Sequence, residues 1–168
     1  MKKFRKNIWF DALGNPILLK RFMFLVVGVM SYRRFNIRNK LLVTGAEVLA
    51  KLPNETVLFV SNHQTYYADV AAMYHAIFAA KNRFYNRLRN PIYLLNPRVR
   101  LYFIAAKETM KAGLLPRIFR LGGSISVKRT WREKGQEIQR DIDLKDTQKI
   151  DRALADGWVI TFPQGTTR

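Results

Sequence analysis

The sequence predicts an α/β domain in which a layered mixed sheet is flanked by helices. Short apolar runs at 57–60, 101–106 and 158–162 have the length and β-branched character of buried strands. Stretches of helix-forming residues without glycine, such as 69–80, separate these runs. Alternation of strands with helices is typical of a layered α/β sheet. With 168 residues, the chain is long enough for one domain with a substantial core.

The first 35 residues predict a helical arm that lies in a membrane interface. Four cations alternate with large apolar residues in 1–10, and an unbroken apolar run follows at 22–30 between pairs of basic residues. This run is far shorter than the roughly 20 residues that a spanning helix needs. No small-residue cleavage site follows it, which argues against a secretory signal. A basic amphipathic element that lies on the membrane or inserts partway fits this pattern, and an ordinary core helix with charged ends is the alternative.

The charge and the absence of cysteine narrow the classes of function. Lys and Arg number 30 against 12 Asp and Glu, a formal net charge of +18. Such a chain favours polyanions, whether nucleic acid, anionic lipid or phosphorylated small molecules. With no cysteine and only two histidines, disulfides, thiolate nucleophiles and cysteine-ligated metals are excluded, and a histidine-rich metal site is not expected.

The domain at 36–168 begins with a strand and turn at 41–45 and a helical turn at 47–52. After the strand at 57–60, the helix at 69–80 contains His75, which we expect to be structural. The remaining elements are a basic aromatic segment at 81–100, a strand at 101–106, a helix at 109–120, a strand at 124–127, an exposed charged stretch at 130–145, a helix capped by Thr147 and ended by Gly157, and a strand at 158–162.

A histidine and an acid follow the strand at 57–60. The run breaks at Ser61 and Asn62, His63 comes next, and Asp69 opens the following helix. Catalytic groups are commonly set at the carboxyl end of a strand in layered α/β folds. A histidine beside a carboxylate is a candidate general base with its orienting partner. For an isolated pair of this kind, a structural hydrogen bond is the commoner alternative.

Three sequence blocks in order resemble the glycerophospholipid acyltransferase family, whose best-known members are the 1-acylglycerol-3-phosphate acyltransferases. Block 1 is 62–69 (NHQTYYAD), block 2 is 123–129 (GSISVKR) and block 3 is 162–166 (FPQGT). Each block is unspecific alone, and their order over most of the chain makes the resemblance.

The resemblance implies transfer of a fatty acyl group from acyl-CoA or acyl-carrier protein to a lysophospholipid hydroxyl in phospholipid biosynthesis. His63 would remove the hydroxyl proton and Asp69 would hold the imidazole, with backbone N–H groups near the next helix start as candidate oxyanion donors. Arg129 would bind the acceptor's phosphate. No cofactor beyond the acyl donor is expected. The implied partner is an anionic membrane surface at the cytoplasmic face of the cell membrane, with no nucleic acid. The residues expected to contact the acceptor head group are Gln164, Gly165 and Thr166.

Three departures from the family pattern carry expectations of their own. Five residues separate His63 from Asp69 where the family has four, and one residue rotates a helical side chain by about 100°, so we expect the loop to absorb the extra residue. Gln164 replaces a glutamate, which leaves a lyso-aminolipid or sugar-lipid acceptor open. The chain ends at Arg168, where the family continues, so we expect a truncated, poorly active chain whose strand at 158–162 lacks one neighbour and promotes aggregation.

Two non-enzymatic alternatives remain open at this point. A membrane-binding protein without activity would fit the altered His–Asp spacing. A nucleic-acid-binding protein would fit the net charge and the aromatic residues Phe84, Tyr85 and Tyr93 among arginines, which could stack on bases.

Overall fold

The computed structural model describes residues 7–65, 68–88, 91–107, 114–127 and 143–163, and these form a layered α/β fold. The predicted fold class is confirmed. The helices and strands in chain order are α1 (Ile17–Arg33), a π-helical turn (Arg34–Arg38), β1 (Leu42–Val43), α2 (Ala46–Lys51), β2 (Val57–Val60), α3 (Ala68–Lys81), β3 (Asn86–Arg87), a 3-10 turn (Pro91–Leu94), β4 (Leu101–Ala106), α4 (Leu114–Leu121), β5 (Ser124–Val127), α5 (Leu144–Asp156) and β6 (Trp158–Thr161).

The main sheet has four parallel strands in the order β2-β6-β4-β5. A separate antiparallel pair joins β1 to β3. The expectation that the strand at 158–162 lacks a neighbour is wrong, because β6 lies between β2 and β4 and its residues Trp158 to Ile160 are fully buried. Among the described strands, β2 and β5 are the edges, and the exposed apolar side chains at the β2 edge are Leu58 and Val60.

Each face of the sheet is covered by helices, as a parallel sheet requires. On one face, Trp158, Ile160 and Phe103 join the larger core cluster, to which α1 and α3 also contribute. On the other face, Val159 and Tyr102 pack with Ala153 of α5. Further members of the larger cluster are Phe24, Ile77, Phe78, Tyr93 and Leu94, and further members of the smaller one are Ile125, Ile150 and Leu154.

Helix α1 is apolar on two faces. One face packs against the domain, where Gly28 admits the side chain of Leu94 so closely that a Cβ at this position would lie 2.7 Å from Leu94 Cδ1. The other face is exposed, and we call it the α1 stripe. No helix in the described part of the chain is long and apolar enough to cross a bilayer. The α1 stripe consists of Leu18, Leu19, Phe22, Val26, Val29 and Met30.

A buried polar network fastens residues 7–16 to the amino-terminal edge of the sheet. Lys20 Nζ lies 2.9 Å from Asp11 Oδ2, and both side chains are almost completely buried. Burial opposes ionisation of Asp11, but the charge and hydrogen bond of Lys20 outweigh it and lower the pKa of this carboxyl. Tyr102 donates a hydrogen bond to Asp156, which also pairs with Arg100. Residues 7–16 are therefore an ordered part of the fold.

Helix α5 begins earlier than the sequence predicts, and Thr147 is not its N-cap. The side chain of Asp143 accepts a hydrogen bond from the N–H of Lys145 at 2.9 Å, so Asp143 satisfies one of the free amide groups of the first turn. Thr147 lies inside the helix, which ends at Gly157 as expected. Of the helix predicted at 109–120, residues from 114 onward are helical in α4, and 109–113 lie outside the described residues.

Candidate active site

Block 1 begins where β2 ends, at the carboxyl edge of the sheet. The N–H of Ser61 donates to the carbonyl of Thr161 at 3.0 Å, which extends the pairing of β2 with β6 by one residue. His63 follows two residues later in the loop. Helix α3 begins at Ala68, so Asp69 lies in its first turn, where the positive end of the helix dipole favours a carboxylate.

His63 and Asp69 contact each other directly. His63 Nδ1 lies 3.0 Å from Asp69 Oδ2, and the two side chains retain 16% and 24% of their exposure. The N–H groups of Gln64 and Thr65 donate to the same oxygen at 2.7 and 2.9 Å, and the Thr65 hydroxyl donates to Oδ1 at 2.6 Å. The longer spacing of this chain therefore does not separate the two side chains.

This environment favours the ionised form of Asp69. Partial burial would raise the pKa of Asp69, but hydrogen bonds from Thr65, Gln64 and His63 together hold it below its ordinary value. An ionised carboxylate only accepts hydrogen bonds, so a neutral His63 carries its proton on Nδ1 and its lone pair on Nε2. The arrangement is that of a general base and its orienting carboxylate.

Two backbone amides near the site are already hydrogen-bonded to Asp69, which limits the choice of oxyanion donors. The N–H groups of Gln64 and Thr65 are used by the carboxylate. These two groups are therefore not available to bind an oxyanion, and the donors expected near the start of α3 stay a prediction for the other amides there.

Phe162, from block 3, stacks on the imidazole of His63. The ring centroids are 4.5 Å apart and the ring planes are inclined by 28°. The sequence placed Phe162 at the end of a predicted strand and at the start of block 3, and gave it no role at the site. The available signal was its position directly after a buried strand, but the sequence does not reveal that this strand lies beside β2.

The other predicted site residues, Arg129, Gln164, Gly165 and Thr166, lie outside the described residues. The strands before them, β5 before Arg129 and β6 before Gln164, are among the described residues. Because the four strands are parallel, their carboxyl ends lie along one edge, with β6 next to β2 and β5 at the far side. At strand spacings of about 4.8 Å, β5 and β2 are separated by about 14 Å across the sheet.

His75 is a core residue. Its side chain is buried, Nδ1 lies 2.8 Å from the Tyr93 hydroxyl, and Nε2 lies 2.8 Å from the Ser31 hydroxyl. Desolvation lowers the pKa of His75 to about 4. The structural interpretation of this histidine agrees with these contacts.

A comparison with models of protein families assigns the chain to a family. A family model described as Acyltransferase matches residues 40–168, which include all three blocks and the His63–Asp69 pair. The chain belongs to the acyltransferase family. No curated protein and no solved structure matches it. The family gives acyl transfer as the general reaction.

Proposed function

We propose that this acyltransferase moves a fatty acyl group from acyl-CoA or acyl-carrier protein to the free hydroxyl of a lysophospholipid, with 1-acylglycerol-3-phosphate as the preferred acceptor. The observation that carries the proposal is the His63–Asp69 pair at the carboxyl edge of the sheet. The order of the three blocks supports a lysophospholipid as acceptor.

The pair supports one mechanism. Nε2 of His63 takes the proton of the acceptor hydroxyl as its oxygen attacks the thioester carbon. The tetrahedral intermediate collapses with cleavage of the carbon–sulfur bond, and the imidazolium returns the proton to the leaving thiolate. Asp69 steadies the positive charge on His63 between these steps. The thioester is itself the activated acyl group, so the reaction needs no cysteine or serine nucleophile.

The α1 stripe supports binding at an anionic membrane surface, on the cytoplasmic face of the cell membrane. Its residues Leu18 and Met30 are 81% and 76% exposed, and Trp9, which accepts a backbone hydrogen bond from Ile17, extends the apolar surface past the start of α1. Apolar side chains beside a net charge of +18 suit the interface of anionic lipid. Such a surface would also hold the lipid acceptor near the site.

Gln164 favours a second candidate, transfer to a lyso-aminolipid or sugar lipid. A glutamine keeps hydrogen bonding but carries no charge, so the head group it meets can differ from that of glycerophosphate. A head group without phosphate would offer Arg129 no phosphate oxygens to bind. Arg129→Ala should raise the KM for 1-acylglycerol-3-phosphate strongly and leave a phosphate-free acceptor unaffected.

The structure weakens the alternative of a nucleic-acid-binding protein, because one of the aromatic residues proposed to stack on bases is buried. Tyr93, one of three aromatic residues considered for stacking on bases, is fully buried and bonded to His75. Base stacking needs an exposed ring. The net charge is accounted for equally well by anionic lipid.

The proposal is tested by acyl transfer to 1-acylglycerol-3-phosphate in anionic vesicles, with labelled acyl-CoA and acyl-carrier protein as donors. We expect turnover by the unaltered chain and a loss of about 10²- to 10⁴-fold in His63→Ala, the usual contribution of a general base. Vesicle binding should be unchanged in this variant. Turnover that survives in His63→Ala would contradict the role of His63, and binding without turnover in the unaltered chain would favour the non-catalytic membrane protein.

A further inference from the structure

The contact between His63 and Phe162 links two blocks through adjacent strands. His63 is in the loop after β2, and Phe162 directly follows β6, the strand paired with β2 up to Val60 and Thr161. The rings approach to 4.5 Å between centroids and are nearly parallel. Block 1 therefore meets block 3 through a ring stack, in addition to the backbone pairing of the two strands.

Phe162 can restrict the orientation of the imidazole because its own side chain is fixed by packing against the core. Its partly buried side chain packs against the larger core cluster, which includes Trp158 and Phe103. A hydrogen bond to Asp69 fixes the position of Nδ1 but tolerates a range of ring tilts. A flat neighbour on one face of the ring restricts that tilt, excludes water from that face and favours the positively charged imidazolium through its π electrons.

We propose that Phe162 is a positioning residue that orients His63 and stabilises its protonated form during acyl transfer. The effect on turnover rests on the proposed function, whereas the ring contact does not. Asp69 fixes the tautomer, and Phe162 fixes the plane of the ring so that Nε2 points to the acceptor hydroxyl. The block-3 phenylalanine thus acts on the reaction through the base and not by contact with substrate.

The ring contact can be measured without any activity. The chain has two histidines, so proton NMR of the imidazole C–H groups, recorded in detergent micelles, gives two sets of signals, and His63→Gln identifies the set from His63. The π current of Phe162 should shift the His63 ring protons upfield. In Phe162→Leu they should move downfield while the His75 signals stay in place. Unchanged His63 signals in this variant would overturn the proposal.

Kinetics then separate positioning from simple packing. Phe162→Leu keeps an apolar side chain, and we expect it to lower kcat about tenfold with little change in KM, the effect of losing one ring contact to a cation. Phe162→Tyr retains the ring and should keep most of kcat. A Leu variant with the shifted His63 signals but normal kcat would overturn the positioning role.

The two proposals fail in distinguishable ways. Absence of turnover in the unaltered chain would refute the proposed function, while the histidine spectra would still decide whether the ring contact exists. A Phe162→Leu variant with reduced melting temperature but unaltered kcat and His63 signals would reduce the contact to ordinary core packing and overturn the inference.

Discussion

At the residue scale, the two histidines show how environment separates chemistry from structure. His63 is partly exposed, pairs with an ionised carboxylate and belongs to a family block. His75 is buried between two neutral hydroxyl groups, those of Ser31 and Tyr93, and has no carboxylate among these partners. A base must reach its substrate and must be able to hold a proton. The exposure of His63 and its pairing with a carboxylate are why we propose it, and not His75, as the base.

The burial of His75 predicts a pH dependence of stability. Its pKa is about 4 in the folded chain against an ordinary value of 6.5, so the unfolded chain binds the proton first. The stabilising contribution is complete above pH 6.5 and is lost as the pH falls toward 4, by about 3 kcal/mol at most. Urea unfolding at a series of pH values between 7 and 4.5 should show this decline.

A control variant isolates this effect. His75→Gln can keep a hydrogen bond but cannot titrate, so its stability should vary much less over the same range. The lowered pKa of Asp69 adds nothing here, because its stabilising effect is lost only below its ordinary value of 3.8. Equal pH dependence in the two chains would contradict the account of His75.

At the element scale, α1 explains how one helix serves both the domain and a surface. Its buried face carries Phe24 and Gly28 against the core, and its opposite face carries the α1 stripe. A helix that is apolar all round is normally buried on all sides. An exposed apolar stripe on a helix firmly packed into the fold therefore indicates a further apolar environment, and the proposed function assigns it to the membrane interface.

The α1 stripe predicts how vesicle binding responds to charge. Phe22→Glu and Met30→Glu should each reduce binding to anionic vesicles at least tenfold, since each places a carboxylate where an apolar side chain meets lipid. Gln148→Glu, on the exposed side of α5, adds the same charge elsewhere and serves as the control. Co-sedimentation with anionic vesicles measures the effect. Equal losses in all three variants would show that net charge alone governs binding.

At the scale of the whole molecule, local patterns predicted the elements better than their arrangement. The strands at 101–106 and 124–127 were predicted to the residue, because an apolar or alternating run followed by a break is a local signal. The start of α5 was missed because two candidate caps, Asp143 and Thr147, lie close together. The central position of β6 was missed because strand order depends on long-range pairing.

The same limit applies to the site. His63 and Asp69 are near in sequence, so their contact was within reach of a local prediction even with the longer spacing. The stack of Phe162 on His63 joins residues far apart in the chain and follows only from the pairing of β2 with β6. The order of the blocks along the chain indicated that they meet. The pairing of β2 with β6 shows how blocks 1 and 3 come into contact.

We propose that the whole molecule binds anionic lipid through α1. The reaction takes place at the carboxyl end of β2, where His63 and Asp69 meet. We propose that the contact between these two side chains makes His63 an effective base for acyl transfer. The most direct measurement compares kcat for acyl transfer in Asp69→Asn and Asp146→Asn. Both acids lie in the first turn of a helix, but Asp146 pairs with the exposed Lys149 three residues on, and such a pair contributes little to stability.

We expect Asp69→Asn to lower kcat at least 100-fold, because the amide no longer stabilises a protonated His63, and Asp146→Asn to keep the rate of the unaltered chain. Equal rates in the two variants would contradict this expectation.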